Sequence, residues 1–175
     1  MSESKHAARQ PTIRDAMVVD LEAIFAIYND EGLRGTATFD TEPLVVERDR
    51  DWLTARDADR HPVVVAESDG RVVGWAGLNP WSSRRAYART AEVSVYVHRD
   101  ARGRAVGRSL LAAIIERARE ADLGVVLARI AEANEPSVRL FEHFCFGHIG
   151  TQRRCGEKFG RILDVELMDL HLDDR

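Results

Sequence analysis

Apolar residues along the chain recur at two periods, and the switches between them predict the elements. Thr12 to Arg14 enters a first strand, after which Leu21, Ile24, Phe25 and Tyr28 fall at i, i+3, i+4 and i+7, one face of a helix. The segment NDEGLRGTATFDTEP sets turn-forming Gly and Pro around the isolated Phe39 and reads as a loop lying over the fold. Glu47 to Ala58 reads as a charged helix with Trp52, Leu53 and Ala55 on a modest apolar side, ended by His61-Pro62. VVVAES and RVVGWAGL, joined by Asp69-Gly70, predict a hairpin. Gly74 and Gly77 inside its second strand mark a bulge or a close approach of a ligand or another backbone.

Further on, Val93, Val95 and Val97 alternate with Ser94 and Tyr96, a strand with two differently lined faces. Leu110, Leu111, Ile114, Ile115 and Ala118 then recur at helical spacing, so a helix opens near Val106. VVLARI predicts a short buried strand, and Asn134-Glu135-Pro136-Ser137 opens a helix whose apolar surface is Val138, Leu140, Phe141 and Phe144. Gly147 to Arg153 and Ile162 to Leu170 read as two last strands separated by CGEKFGR. The order β-α-α-β-β-β-α-β-α-β-β predicts an α/β chain, an α+β mixed sheet in one layer with helices on its faces.

Composition narrows the class. At 175 residues, with no repeat or linker, residues 11–175 form a single domain behind a disordered tail, MSESKHAARQ, at residues 1–10. A 45% hydrophobic, 31% charged composition is that of a soluble globular protein, and the net charge of -4 speaks against general nucleic-acid affinity. No apolar run is long enough for a membrane span, and the tail lacks the core of a signal peptide. Two cysteines, Cys145 and Cys155, make neither a disulfide framework nor a zinc site, which points to a reducing cytoplasm. The histidines show no metal-ligating spacing, so no metal is expected.

The chemistry concentrates between Thr90 and Ile115. There a strand carrying one acid, Glu92, runs into a turn dense in Arg and Gly and then into a helix. A first helical turn leaves backbone N–H groups without partners and carries partial positive charge, which suits a phosphate. Gly103 and Gly107 permit close approach, and Arg102, Arg104 and Arg108 add forked donors. An anionic cofactor is one reading; an ordinary strand-to-helix connection with solvated arginines is the other. GRAVGRS is one residue short of a P-loop and lacks its Lys, and no dinucleotide fingerprint is present.

IRDA followed by the IYN helix, TATFDTEP, the pair WAGLNPW and RRAY, TAEVSVYVHRDARGRAVG, AEANEPSV and CGEKFGRILDVELM follow one another from Ile13 to about Leu170. In this order and spacing they resemble the GCN5-related N-acetyltransferases (GNAT), and within them the phosphinothricin and methionine sulfoximine acetyltransferases. The resemblance implies a bent, mixed sheet splayed after its fourth strand, with acetyl-CoA entering the V-shaped gap as cosubstrate. It places the pyrophosphate on Arg102, Gly103, Arg104, Ala105, Val106, Gly107 and Arg108, and the pantetheine arm along Val95, Tyr96 and Val97 and near Asn134 and Ser137. Glu92 matches the acid proposed to take the amine proton, with a backbone amide between Val93 and Tyr96 for the developing oxyanion. Phe39, Trp81, Arg84, Arg85 and Tyr87, together with Glu92, Val93 and Ser94, match the pocket for a small amino-acid-like acceptor. Lys158 and Asp164 belong to a carboxyl-terminal signature serving either a dimer or the pocket wall, and a homodimer is implied.

The implied activity is acetyl transfer to the α-amino group of phosphinothricin, methionine sulfoximine or methionine sulfone by direct attack. Alternatives are a degenerate acetyl-CoA-binding domain, or acetylation of a protein amino terminus or another amine. Departures from the family pattern are Ala105 for Gly in the phosphate loop, Phe141 where relatives carry His or Tyr, Cys145 for Gly, and Ile162 for Trp.

Overall fold

The computed structural model describes residues 10–173; residues 1–9 of the expected disordered tail lie outside it. Seven strands form one mixed sheet in the order β1-β2-β3-β4-β5-β7-β6. They are β1 (Thr12–Asp15), β2 (Val63–Ser68), β3 (Arg71–Pro80), β4 (Thr90–Val97), β5 (Val125–Ala131), β6 (Gly147–Lys158) and β7 (Arg161–His171). The helices are α1 (Leu21–Arg34), a single turn α2 (Val46–Asp49), α3 (Val106–Glu120) and α4 (Glu135–His143). None among the described residues is long and apolar enough to cross a membrane.

Strand alternation divides the core between the two faces. Val64 and Ala66 of β2 and Ala76 and Leu78 of β3 pack with Leu110, Leu111 and Ile114 of α3. Val63, Val65 and Trp75 on the opposite face pack with Leu21, Ile24 and Phe25 of α1. Gly74 realises both expectations placed on it. Register slips between Ala66 and Glu67, leaving Val73 as the extra residue, and a Cβ at Gly74 would sit 2.9 Å from both Leu110 Cδ1 and the Tyr96 carbonyl oxygen. The missing side chain lets α3 lie close against the sheet.

Two segments differ from the sequence reading. The helix expected over Glu47 to Ala58 is α2 followed by a 3-10 turn, Arg50–Trp52, and then turns. Tertiary contacts take precedence over its periodicity: Trp52 meets Phe25 and Trp75 edge-on at 5.7 and 5.6 Å. Arg56 bends back to the Leu78 carbonyl and to Asn79 Oδ1. CGEKFGR, expected to separate two strands, instead belongs to a continuous hairpin turning at Phe159-Gly160, whose φ values are 53° and 69°. Asp69-Gly70 turns the same way, with φ of 50° and 73°. Two positive φ values are what a two-residue hairpin turn needs; a bulky Phe in that position hides the turn.

The sheet comes apart in its middle. β4 and β5 are parallel neighbours only where Thr90, Ala91 and Glu92 face Val125, Val126 and Leu127. Beyond Glu92, β4 keeps its pairing with β3 as far as Val97, while β5 follows β7 as far as Ala131. Val93 to Val97 therefore has a sheet neighbour on one side only, and a wedge opens at Glu92.

Candidate active site

The wedge leads into a cavity of about 590 Å³. One wall is Glu92 to Tyr96, with Asn79 and Pro80 of the adjoining strand; the other is Arg129, Ile130 and Ala131, with Asn134, Ser137 and Phe141 behind. The loop from Thr36 to Asp40 roofs it, and Gln152, Cys155 and Val165 close the far side.

At the apex Glu92 meets Arg129 side-on: Nε donates to Oε1 and Nη2 to Oε2, both at 2.7 Å. The geometry follows from register. Glu92 stands opposite Leu127, and Arg129 is two residues further on, on the same face of the diverging strand. The Glu92 side chain is 18% exposed and that of Arg129 50%. The Arg129 guanidinium is raised above its ordinary value, chiefly by this bond and against the opposing effect of burial. Trp81 sits 5.9 Å from it, ring face toward the cation. Asn79, paired across the ladder with Glu92, accepts from Arg56 at 2.8 Å and turns its amide nitrogen toward Ser94 Oγ at 3.5 Å.

The roof is held from three elements. Tyr28 of α1 donates to Asp40 at 2.7 Å and meets the Thr38 hydroxyl at 2.6 Å. Tyr96 of β4 donates to the Ala37 carbonyl at 3.2 Å, and Lys158 of β6 donates to the Thr38 carbonyl at 2.6 Å. Burial, reinforced by Asp40, pushes the Tyr28 hydroxyl up to about 12, and burial pushes the Lys158 ammonium down. Phe39 lies flush against Gly156, where a Cβ would overlap its ring.

Past the wedge, the Arg/Gly turn runs into α3 with Gly103 at φ 72° and Ala105 at φ 62°. The first bond into the helix is Ser109 N to Ala105 O at 3.0 Å, so the N–H groups of Val106, Gly107 and Arg108 precede the helical ladder. Arg104 and Arg108 are exposed. Arg102 is tied to the Glu31 carboxylate, and its Nε donates to the Val97 carbonyl at 3.2 Å. Asn134 caps α4, accepting from Ser137 N at 3.3 Å.

The structure thus brings Phe39, Glu92, Val93, Ser94, Val95, Tyr96, Asn134 and Ser137 onto one cavity. Trp81 reaches it only through Arg129, and Arg84, Arg85 and Tyr87 stand exposed on a neighbouring 3-10 turn, off its wall. Arg129, Asn79 and Tyr28 belong to the site and were not picked out from the sequence. For Arg129 a signal existed: a charged residue inside the apolar run VVLARI.

The surroundings fit a CoA thioester: a strand edge with one free side, N–H groups at a helix start, two left-handed residues and exposed arginines. Comparison with known proteins agrees. Residues 21–146 match the model of the Acetyltransferase (GNAT) family. An L-methionine sulfoximine/L-methionine sulfone acetyltransferase of Pseudomonas paraeruginosa is 40% identical over 163 residues, 93% of this chain and 95% of that protein. Among solved structures, a ribosomal-protein-alanine N-acetyltransferase from Brucella melitensis superposes with a TM-score of 0.89 at 40% identity, covering 92% of this chain and 99% of that one. An acetyltransferase from Salmonella typhimurium, solved with its cofactor acetyl-CoA, gives 0.91 at 35% identity, covering 95% and 96%. The fold, the splayed site and these relatives together establish that this chain belongs to the GNAT family and is an acetyltransferase.

Proposed function

We propose that the protein transfers acetyl from acetyl-CoA to the α-amino group of a small amino-acid analogue of the methionine sulfoximine, methionine sulfone or phosphinothricin type, by direct attack with Glu92 as base. The observation that carries this reading is the opening of the sheet at Glu92: the acid stands at the apex of the cavity, and the one-sided edge Val93 to Val97 leads from it to the Arg/Gly turn. Acetyl-CoA supplies a thioester carbonyl, an electrophile that a neutral amine attacks.

At neutral pH the acceptor arrives as an ammonium and must lose a proton first. Glu92 attracts that charge and takes the proton, directly or through water. The nitrogen lone pair then forms the amide bond as the carbon–sulfur bond breaks. A backbone N–H between Val93 and Tyr96 donates to the carbonyl oxygen as it gains charge. Phe141, buried against Phe146 with ring centroids 4.9 Å apart, has no proton to give, so the leaving thiolate is protonated from water. Ala105 and the N–H groups opening α3 hold the pyrophosphate, with Arg104 and Arg108 supplying charge. The reading includes a cytoplasmic setting, in keeping with free Cys145 and Cys155. It also includes a homodimer, supported by Ile149, Phe159 and Ile162, which stand 52%, 60% and 49% exposed on the β6–β7 hairpin.

Release of free CoA across a panel of amines tests the reading. Methionine sulfone or its relatives should give acceptor-dependent release, and Glu92→Gln should lower kcat by roughly 100-fold or more while acetyl-CoA binding persists. Tight acetyl-CoA binding with no release from any amine would leave a binding domain instead. A second reading, acetylation of a protein amino terminus, draws on the Brucella relative's name; release with peptides and not with amino-acid analogues would favour it. The roof over the cavity, closed by Thr36 to Asp40, favours the small acceptor.

A further inference from the structure

The Glu92–Arg129 pair lies at the apex of the cavity with half of its guanidinium uncommitted. Arg129 spends Nε and Nη2 on Glu92. Its remaining edge, Nη1 with the second hydrogen of Nη2, has no partner among the described residues, in a side chain that lines the cavity and is 50% exposed. A guanidinium has five donors in a planar fork and can bind two carboxylates on two edges at once. The cation stands over the Trp81 ring, 5.9 Å from its centroid, and its unpartnered N–H groups are the places for a second ligand. Asp40, the other acid on the cavity wall, is engaged by the Tyr28 hydroxyl at 2.7 Å.

We infer that Arg129 binds the carboxylate of the acceptor while Glu92 receives its ammonium, so that the ion pair itself selects zwitterionic α-amino acids. An α-amino acid carries its two charges on neighbouring atoms of one carbon, and the pair presents the opposite charges side by side in the complementary order. The acceptor carboxylate takes the free edge of Arg129, which sets its α-nitrogen beside Glu92 and turns the lone pair exposed by deprotonation toward the thioester. A polyamine brings a second positive charge against Arg129, and a protein amino terminus brings a neutral peptide carbonyl where the carboxylate belongs; both forgo the charge-assisted bond. The inference rests on the amino-acid reading of the site and gives it a selectivity residue. It assigns the role expected of Arg84 and Arg85, which stand off the cavity wall, to a residue of β5.

Methionine sulfone compared with its decarboxylated analogue, 3-(methylsulfonyl)propylamine, tests this by the ratio of their kcat/KM values. The two acceptors differ in amine basicity, but that factor is common to wild type and variant and cancels when the ratios are compared. The wild type should favour methionine sulfone. Arg129→Gln should lower the ratio by roughly 10- to 100-fold, the range for a hydrogen bond to a charged group, and Arg129→Lys, which keeps the charge but loses the fork, should fall between. Acetyl-CoA binding and the melting temperature report whether each variant is folded; Arg129→Lys carries the test if Arg129→Gln is not. An equal loss on both acceptors, with the ratio unchanged, would mean that Arg129 serves only to orient Glu92 and would overturn the inference while leaving the amino-acid reading intact. No CoA release by the wild type with any amino-acid analogue would overturn the underlying reading and this inference together.

Discussion

Ala105 illustrates what one residue costs where backbone geometry is fixed by its surroundings. Its φ of 62° caps α3 in the left-handed region, where a Cβ crowds the following carbonyl. The turn adopts this geometry all the same, because Val106 and Leu110 on the following helix are buried and pull the chain into it. Ala105→Gly should therefore stabilise the protein by about 1 kcal/mol, raising Tm by roughly 2–4 °C in a thermal melt; a lower Tm would show that the strain is absent. At this scale the sequence was informative about Glu92, Phe39 and the Arg/Gly turn, whose residue types are unusual for their places. It was silent on the partners of Arg102, Arg84 and Arg85, since an arginine in a loop gives no sign of what it will meet. Arg102 meets Glu31, far from it in the chain and brought near by α1.

Among elements, the roof loop and the β6–β7 hairpin act on each other at Gly156. The loop has no regular structure of its own from Gly35 to Val45, and its order comes from Tyr28, Tyr96 and Lys158 on three separate elements. Phe39 fits because Gly156 lacks a side chain. Gly156→Ala should displace Phe39, introducing about 1–3 kcal/mol of strain and raising acceptor KM by roughly 10-fold with acetyl-CoA affinity unchanged. The effect should vanish in a Phe39→Ala background, and a double-mutant cycle on KM measures that coupling; independence of the two substitutions would mean the contact does not shape the pocket. Periodicity located the hairpin's strands but stopped them short, because Phe159 occupies a turn position usually held by Asn or Asp. It overextended α2, because Trp52 beyond its end answers to Phe25 and Trp75 rather than to a helix face.

At the scale of the whole molecule, β6 forms an edge of the sheet, and an exposed edge with apolar neighbours invites pairing. Ile149 and Ile162 on the hairpin are expected to lie in a contact between two copies. Sedimentation over a range of concentrations should give twice the mass of the chain, and Ile149→Glu with Ile162→Glu should return the monomer; a wild type monomeric throughout would sink the dimer. The order of the elements and the place of the Arg/Gly turn that opens α3 were decided by the sequence alone, because hydrophobic period, hairpin dipeptides and helix starts are local signals. The family was legible from ordered motifs spread along the chain. The pairing of Glu92 with Arg129 was decided only in the tertiary structure. It depends on two strands that are parallel for three residue pairs and then part, a register set by the packing of helices on both faces and carried by no local pattern in either strand.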